Sequence, residues 1–166
     1  MTYKTYSVIQ QLSHQMEKKN YTKSEIESLI KRFEAGQLPK VEWTHPAHLI
    51  VAVWYSVRHA HDEALPLVRE FIRNHNEAVG TGNTDEIGYH ETITKFWLWV
   101  AKQFLAGRKG EPIDILCNDL IHSEFGKSSY PLMYYSKELL FSVEARHNWM
   151  SPDVQNLNVL IEESRN

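Results

Sequence analysis

Between Pro46 and about His59 the chain carries apolar side chains on nearly every face of a helix: Leu49, Ile50, Val51, Val53, Trp54, Tyr55 and Val57. A helix without a polar face cannot lie on a surface, so it has to be surrounded by other elements. A second segment, from His90 to Leu105, is almost as apolar through Ile93, Phe96, Trp97, Leu98, Trp99, Val100, Phe104 and Leu105, and Gly107 closes it. Two such segments require several amphipathic partners. The remaining sequence supplies them at helical spacing, with no alternating strand pattern, hairpin turn, internal repeat or low-complexity tract.

Val8, Leu12 and Met16 mark a first amphipathic helix within residues 1–20, peripheral to the rest. Thr22 or Ser24 can cap a helix with the stripe Ile26, Leu29, Ile30 and Phe33, and Gly36 is its expected stop. Thr44 reads as the N-cap of the central helix, with Pro46 in the first turn, where its missing N–H has no partner to lose. Asp62 is the expected cap of a helix through Leu65, Leu67, Val68, Phe71 and Ile72 that ends near Gly80. The stretch from Gly80 to Asp85 is a loop by composition, and Pro112 opens a shorter helix through Ile113, Ile115, Leu116, Leu120 and Ile121. Residues 126–166 are irregular, with short helices expected over Ser136–Phe141 and Val143–Trp149 and a tail from Pro152 that wraps the bundle. The expected fold is an all-α, single-domain bundle of about six to eight helices.

With 166 residues such a domain can bury a core without staples. A formal net charge of -3 gives no basic field, so neither nucleic acid nor an anionic membrane is an expected partner. The longest apolar run, Leu49 to Tyr55, is far shorter than the roughly 20 residues of a membrane span. The polar start Met-Thr-Tyr-Lys-Thr-Tyr-Ser does not resemble a signal peptide. Cys117 is the single cysteine, which excludes a disulfide framework or thiolate zinc site within one chain and fits a reducing cytoplasm. The Asn20-Tyr21-Thr22 sequon is then incidental.

Polar chemistry is concentrated in front of the two apolar segments, in Glu42-Trp43-Thr44-His45-Pro46-Ala47-His48 and in Gly88-Tyr89-His90-Glu91-Thr92. His45 and His48 stand at i and i+3 and share a helix face, with Cβ atoms about 5–6 Å apart, a separation one metal ion can bridge. The positive end of the helix dipole disfavours imidazolium and so favours the ligating, neutral form. With His90 as a third nitrogen and Glu91 or Glu42 as an oxygen, the set would suit iron, manganese or zinc. Glu91 would be a ligand or, like Glu42, the catalytic general base. A plainer reading competes: the histidines cap and pack, His90 lies beside Tyr89 and Trp97, and Glu91 pairs with Lys95 at i+4.

Other groups point less clearly to chemistry. His59-Ala60-His61-Asp62 contains a His-Asp pair of metal phosphohydrolase type but lacks that chemistry's further ligands. His75 reads as a solvated helix end, and Cys117 as an inert buried thiol. Gly80-x-Gly82 follows no strand and is no dinucleotide fingerprint. Tyr130, Tyr134 and Tyr135 are candidates to wall a pocket, near the group Arg146, His147, Trp149 and Asp153. The Arg146 fork matches an anionic substrate group, although pairing with an acidic neighbour competes.

The run Phe33…Leu38-Pro39…Trp43-Thr44-His45…His48-Leu49, then Gly88-Tyr89-His90-Glu91-Thr92…Thr94, then Tyr135-Ser136…Phe141-Ser142…Ala145-Arg146…Trp149…Pro152-Asp153 resembles a family of uncharacterised bacterial proteins. These carry a Trp/Phe-Thr-His-x-x-His segment and a Gly-Tyr-His-Glu-Thr segment in the same order. The similarity starts near residue 30. It implies a shared architecture and polar centre, and no reaction. Three functional classes follow: a small metal-dependent enzyme, hydrolytic or oxidative, with metal ligands His45, His48 and His90; a metal-free module binding a small molecule through the same pocket, with Tyr89, Thr94, Tyr135 and Arg146 as ligand-binding residues; or a structural protein, a homodimer being compatible with any of them.

Overall fold

A computed structural model of the protein describes residues 19–157. The helix expected around Val8, Leu12 and Met16 lies outside the described residues, as does the end of the tail. Among the described residues there are seven α-helices and no strand: α1 (Lys23–Glu34), α2 (His45–Arg58), α3 (His61–Ala78), α4 (Glu91–Phe104), α5 (Ile113–His122), α6 (Lys137–Leu140) and α7 (Val143–His147). Single 3₁₀ turns at Lys40–Glu42, Glu124–Gly126 and Tyr130–Met133 fill the connections.

The apolar segment after Pro46 is α2, and it lies against α1, α3, α4 and α5. Ala47, Leu49, Ile50, Val51, Ala52, Val53 and Tyr55 are all buried, so every face of the helix meets protein. Both ends of α2 reach the later half of α3: Trp43, just ahead of α2, meets His75, and Tyr55 near its end meets Phe71. The second apolar segment, α4, lies against α2, α3 and α7. No described helix is long and apolar enough to cross a membrane.

Local signals account for most boundaries. Thr22, rather than Ser24, caps α1: Glu25 N–H donates to Thr22 Oγ1 at 3.2 Å and Thr22 N–H donates to Glu25 Oε2 at 2.8 Å. This reciprocal box satisfies two otherwise unpaired donors. Thr22→Ala is therefore expected to lower stability by about 1 kcal/mol in urea denaturation, while Thr22→Ser costs only a few tenths. Gly36 follows α1 with φ 66°, the left-handed conformation that ends helices.

Asp62 is not the cap of α3. The helix begins two residues earlier than that cap requires, at His61, with Ala60 at the N-cap position and Glu63 Oε2 accepting from Ala60 N–H at 3.2 Å. Asp62 sits in the first turn, where its charge complements the helix dipole. Thr44 occupies the N-cap position of α2 without a side-chain cap bond.

The C-terminal part is folded back onto α4. Buried Thr92 donates Oγ1–H to the Asn148 carbonyl at 2.7 Å and accepts from Met150 N–H at 3.0 Å. Asp153 accepts from both Ser136 N–H (2.8 Å) and Ser136 Oγ–H (2.6 Å), and Val154 N–H donates to the Tyr134 carbonyl at 2.9 Å. The short helices α6 and α7 start at the hydroxyls of Ser136 and Ser142.

Candidate functional site

The Gly-Tyr-His-Glu-Thr segment forms the entry to α4, and each of its residues is engaged with protein. Gly88 has φ 87°, and a Cβ there would stand 2.2 Å from the Gly82 carbonyl oxygen. The loop from residue 80 therefore turns back tightly at this point, and Asn83 Oδ1 accepts from Tyr89 N–H at 3.0 Å. Tyr89, itself buried, donates its hydroxyl to Glu91 Oε2 at 2.7 Å. Arg69 of α3 grips the same carboxylate through Nε–H to Oε2 at 2.9 Å and Nη2–H to Oε1 at 2.6 Å. Burial pushes the Glu91 carboxyl up, but the bonds from Arg69 and Tyr89 outweigh it and hold the group below its ordinary value. Glu91 is thus paired with Arg69 across two helices, with Lys95 only a weaker charge nearby.

His90 caps α4. Its Nδ1 accepts from Ile93 N–H at 3.3 Å and its Nε2–H donates to the Leu140 carbonyl at 2.9 Å, so both ring nitrogens are occupied. Burial first, and the neighbouring Arg146 charge second, push its pKa down to about 4. Thr94 stands beside the Tyr89 phenol. Tyr135 is fully buried and donates its hydroxyl to the Met150 carbonyl at 2.9 Å. Glu42 is exposed and held by a two-pronged pair to Arg32 at 3.0 and 2.7 Å, which lowers its pKa.

The Trp-Thr-His-x-x-His segment is engaged less completely. Trp43 stacks on Phe33 of α1, with ring centroids 4.7 Å apart, and the His48 ring lies 3.8 Å from the indole. His48 Nδ1 is 2.7 Å from the Thr44 carbonyl. A carbonyl only accepts, so Nδ1 carries the proton and Nε2 keeps a bare lone pair. No hydrogen bond to Nε2 occurs among the described residues. Burial and the nearby charges of His45 and His75 push the His48 pKa down to about 4, against an opposing effect of the Thr44 carbonyl. His45 turns instead toward Trp97, at 5.0 Å, and donates Nε2–H to the Gly126 carbonyl at 2.8 Å.

His75 completes this neighbourhood and is not the solvated helix end its polar sequence context suggests. It is 0% exposed, with its ring 5.1 Å from Trp43 and 5.5 Å from Phe33. Its Nε2–H donates to the Leu38 carbonyl at 2.8 Å, which leaves the Nδ1 lone pair inside the core with no hydrogen-bond partner. The spacing carried a signal for this position: His75 follows the buried Val68 and Ile72 at i+7 and i+3 and lies on the same face.

The imidazoles thus fall into two neighbourhoods. His48 shares its surroundings with His45 and His75, whereas His90 is influenced by Arg146 and His147. Among the described residues no three His, Cys, Asp or Glu side chains come together as a set that could hold a metal ion. His59 stacks on Tyr55 at 5.8 Å, and burial pushes the Cys117 thiol up to about 12, in keeping with an inert role. Comparisons with protein-family models, with curated proteins and with solved structures find no match to this chain.

Proposed function

We propose that the protein is a small-ligand binding module whose site is the imidazole pair His48 and His75 set against the rings of Trp43 and Phe33. The observation that carries this reading is the bare Nδ1 of His75, fully buried and unpartnered. Leaving a polar atom unsatisfied in a core costs about 1–3 kcal/mol, and folded proteins retain few such atoms. The pair offers two lone pairs and no donor of its own, since each N–H is committed to a carbonyl. It therefore selects an occupant that brings the donor, with aromatic rings as walls.

A hydrolytic or oxidative reading with Glu42 or Glu91 as the base has less support. Each of those carboxylates is neutralised by an arginine. A transition metal, iron, manganese or zinc, is the second reading of the same site. What favours it is the commitment of the other ring nitrogen of each histidine to a backbone carbonyl, the arrangement that fixes tautomer and orientation in metal-ligating histidines. His48 Nε2 and His75 Nδ1 would be the ligands, with His45 adjacent. On either reading the chain belongs with the bacterial family its two segments resemble, acts in the cytoplasm and takes a small-molecule or ionic partner.

Elemental profiling of protein purified without chelator or tag metal, combined with a thermal-shift screen of neutral hydrogen-bond donors and of zinc, manganese and ferrous ions, tests the proposal. Wild type is expected to gain several degrees with at least one occupant. His48→Phe and His75→Phe should unfold cooperatively and lose that gain. Near-stoichiometric metal selects the second reading. A wild type stabilised by nothing, or a gain that survives both substitutions, overturns the site.

A further inference from the structure

The arginines form a group of residues distinct from the imidazole pair. Six arginines lie among the described residues. Arg32, Arg69 and Arg108 each pair with a carboxylate. Arg58, Arg73 and Arg146 pair with none among the described residues. Arg58 lies flat on Trp54, its guanidinium carbon 3.2 Å from the ring centroid. The other two meet on one residue. The Arg73 guanidinium carbon is 5.0 Å from the Tyr89 ring, and Arg146 Nη1 lies 3.3 Å from both the Gly88 and the Tyr89 carbonyl oxygens.

The acidic neighbour expected for Arg146 is therefore absent from its contacts. Carboxylates of the same region are already committed: Glu91 to Arg69 and Tyr89, Asp85 to His147 at 2.7 Å, and Glu144 to the Asn148 amide at 2.9 Å. A guanidinium has five N–H donors and stays charged at any physiological pH. Arg146 is half-buried and uses Nη1 alone, in two long bonds, so most of its donors face no acceptor. The two carbonyls fix the direction of the fork, and Arg73 brings a second positive charge to the ring of the same tyrosine.

We propose that Arg146 and Arg73 at the Tyr89 turn bind a small oxyanion, the phosphate or carboxylate group of a soluble ligand, with Arg146 as the two-pronged donor. Such pairs are short and charge-assisted, and they recognise the geometry of the anion as well as its charge.

The test is a titration of the full chain with inorganic phosphate and, in a parallel arm, acetate, at ionic strength held constant with chloride, read by thermal shift and isothermal calorimetry. Saturable stabilisation by at least one of the two beyond the chloride control is expected, and which one saturates tells a phosphate ligand from a carboxylate one. Arg146→Gln should weaken it at least tenfold and Arg73→Gln several-fold, while Arg58→Gln leaves it unchanged. Should Arg146→Gln fail to fold, Arg73→Gln decides, because its exposed side chain makes no hydrogen bond among the described residues. Equal effects of phosphate, acetate and chloride, or binding unaltered in Arg73→Gln, overturn the proposal. His48→Phe should leave anion binding intact, which separates failure here from failure of the imidazole site.

Discussion

Stability measured by urea denaturation should fall by roughly 3 to 4 kcal/mol between pH 7 and pH 5, before carboxylate protonation contributes much. The cause is a pair of neutral imidazoles, half-buried His48 and buried His90, each with its pKa pushed down from 6.5 to about 4. In the unfolded chain both titrate near the ordinary value. Between about pH 6.5 and pH 4 the unfolded state therefore binds more protons than the folded one. Stability then rises with pH, is fully present above 6.5, and drains away as pH falls toward 4. A shift of that size corresponds to about 3 kcal/mol per histidine once the whole window is crossed. The paired carboxylates Glu25, Glu42, Glu91 and Asp153 are also shifted down, but their losses begin only below their ordinary values near 4. A slope measured from pH 6.5 to 5 thus isolates the histidines. His48→Phe and His90→Asn should each remove close to one proton from it. A slope of less than half a proton, or one indifferent to both substitutions, would show that these rings are solvated when folded.

The position of α2 at the centre follows from its composition alone, because a helix with Leu49, Ile50, Val51 and Val53 on successive faces has no side to give to water. The stop at Gly36, the start at Pro112 and the short helices behind Ser136 and Ser142 follow from rules of local hydrogen bonding. The all-α fold was accordingly readable. Asp62 was misplaced as a cap because the signal for it, a short acidic residue ahead of an apolar stripe, is also satisfied by an acid in the first turn. Glu63, one residue on, accepts from the Ala60 N–H at the true cap position.

At the two helix entries the partners of each polar side chain are set by tertiary packing, which the sequence does not display. A carboxylate and two histidines at helix entries look the same in sequence whether they face a ligand or the protein's own backbone. The i+4 spacing offers Lys95 to Glu91 as one partner, but Arg69, 22 residues earlier, bonds it because α3 lies against α4. His75 was hidden for the opposite reason. Its neighbours in sequence, Asn74, Asn76 and Glu77, are all polar, although Asn76 is itself buried, while the partner that matters, the Leu38 carbonyl, comes from a connector 37 positions away.

The pair between Arg69 and Glu91 should respond asymmetrically to substitution. The Glu91 side chain is 12% exposed and the Arg69 side chain 37%. Removing the arginine strands a largely enclosed carboxylate with only the Tyr89 hydroxyl for support, whereas removing the negative charge leaves a guanidinium that can turn to solvent. Fully buried pairs lose about 3–5 kcal/mol when one partner is deleted. Screening at the half-exposed arginine reduces this, so Arg69→Ala is expected to cost about 2–3 kcal/mol and Glu91→Gln about 1 kcal/mol. Because Glu91 ties α3 to the entry of α4 through Tyr89, Arg69→Ala should also expose the amides of residues 83–93 to faster hydrogen exchange. Denaturation of both single variants and the double variant measures the coupling, and in the double variant most of the Arg69→Ala loss should be recovered. Equal losses in the two singles would mean that the carboxylate is solvated. Full loss of a binding or catalytic activity in a stable Glu91→Gln variant would mean that this carboxylate does chemistry rather than hold α3 to α4.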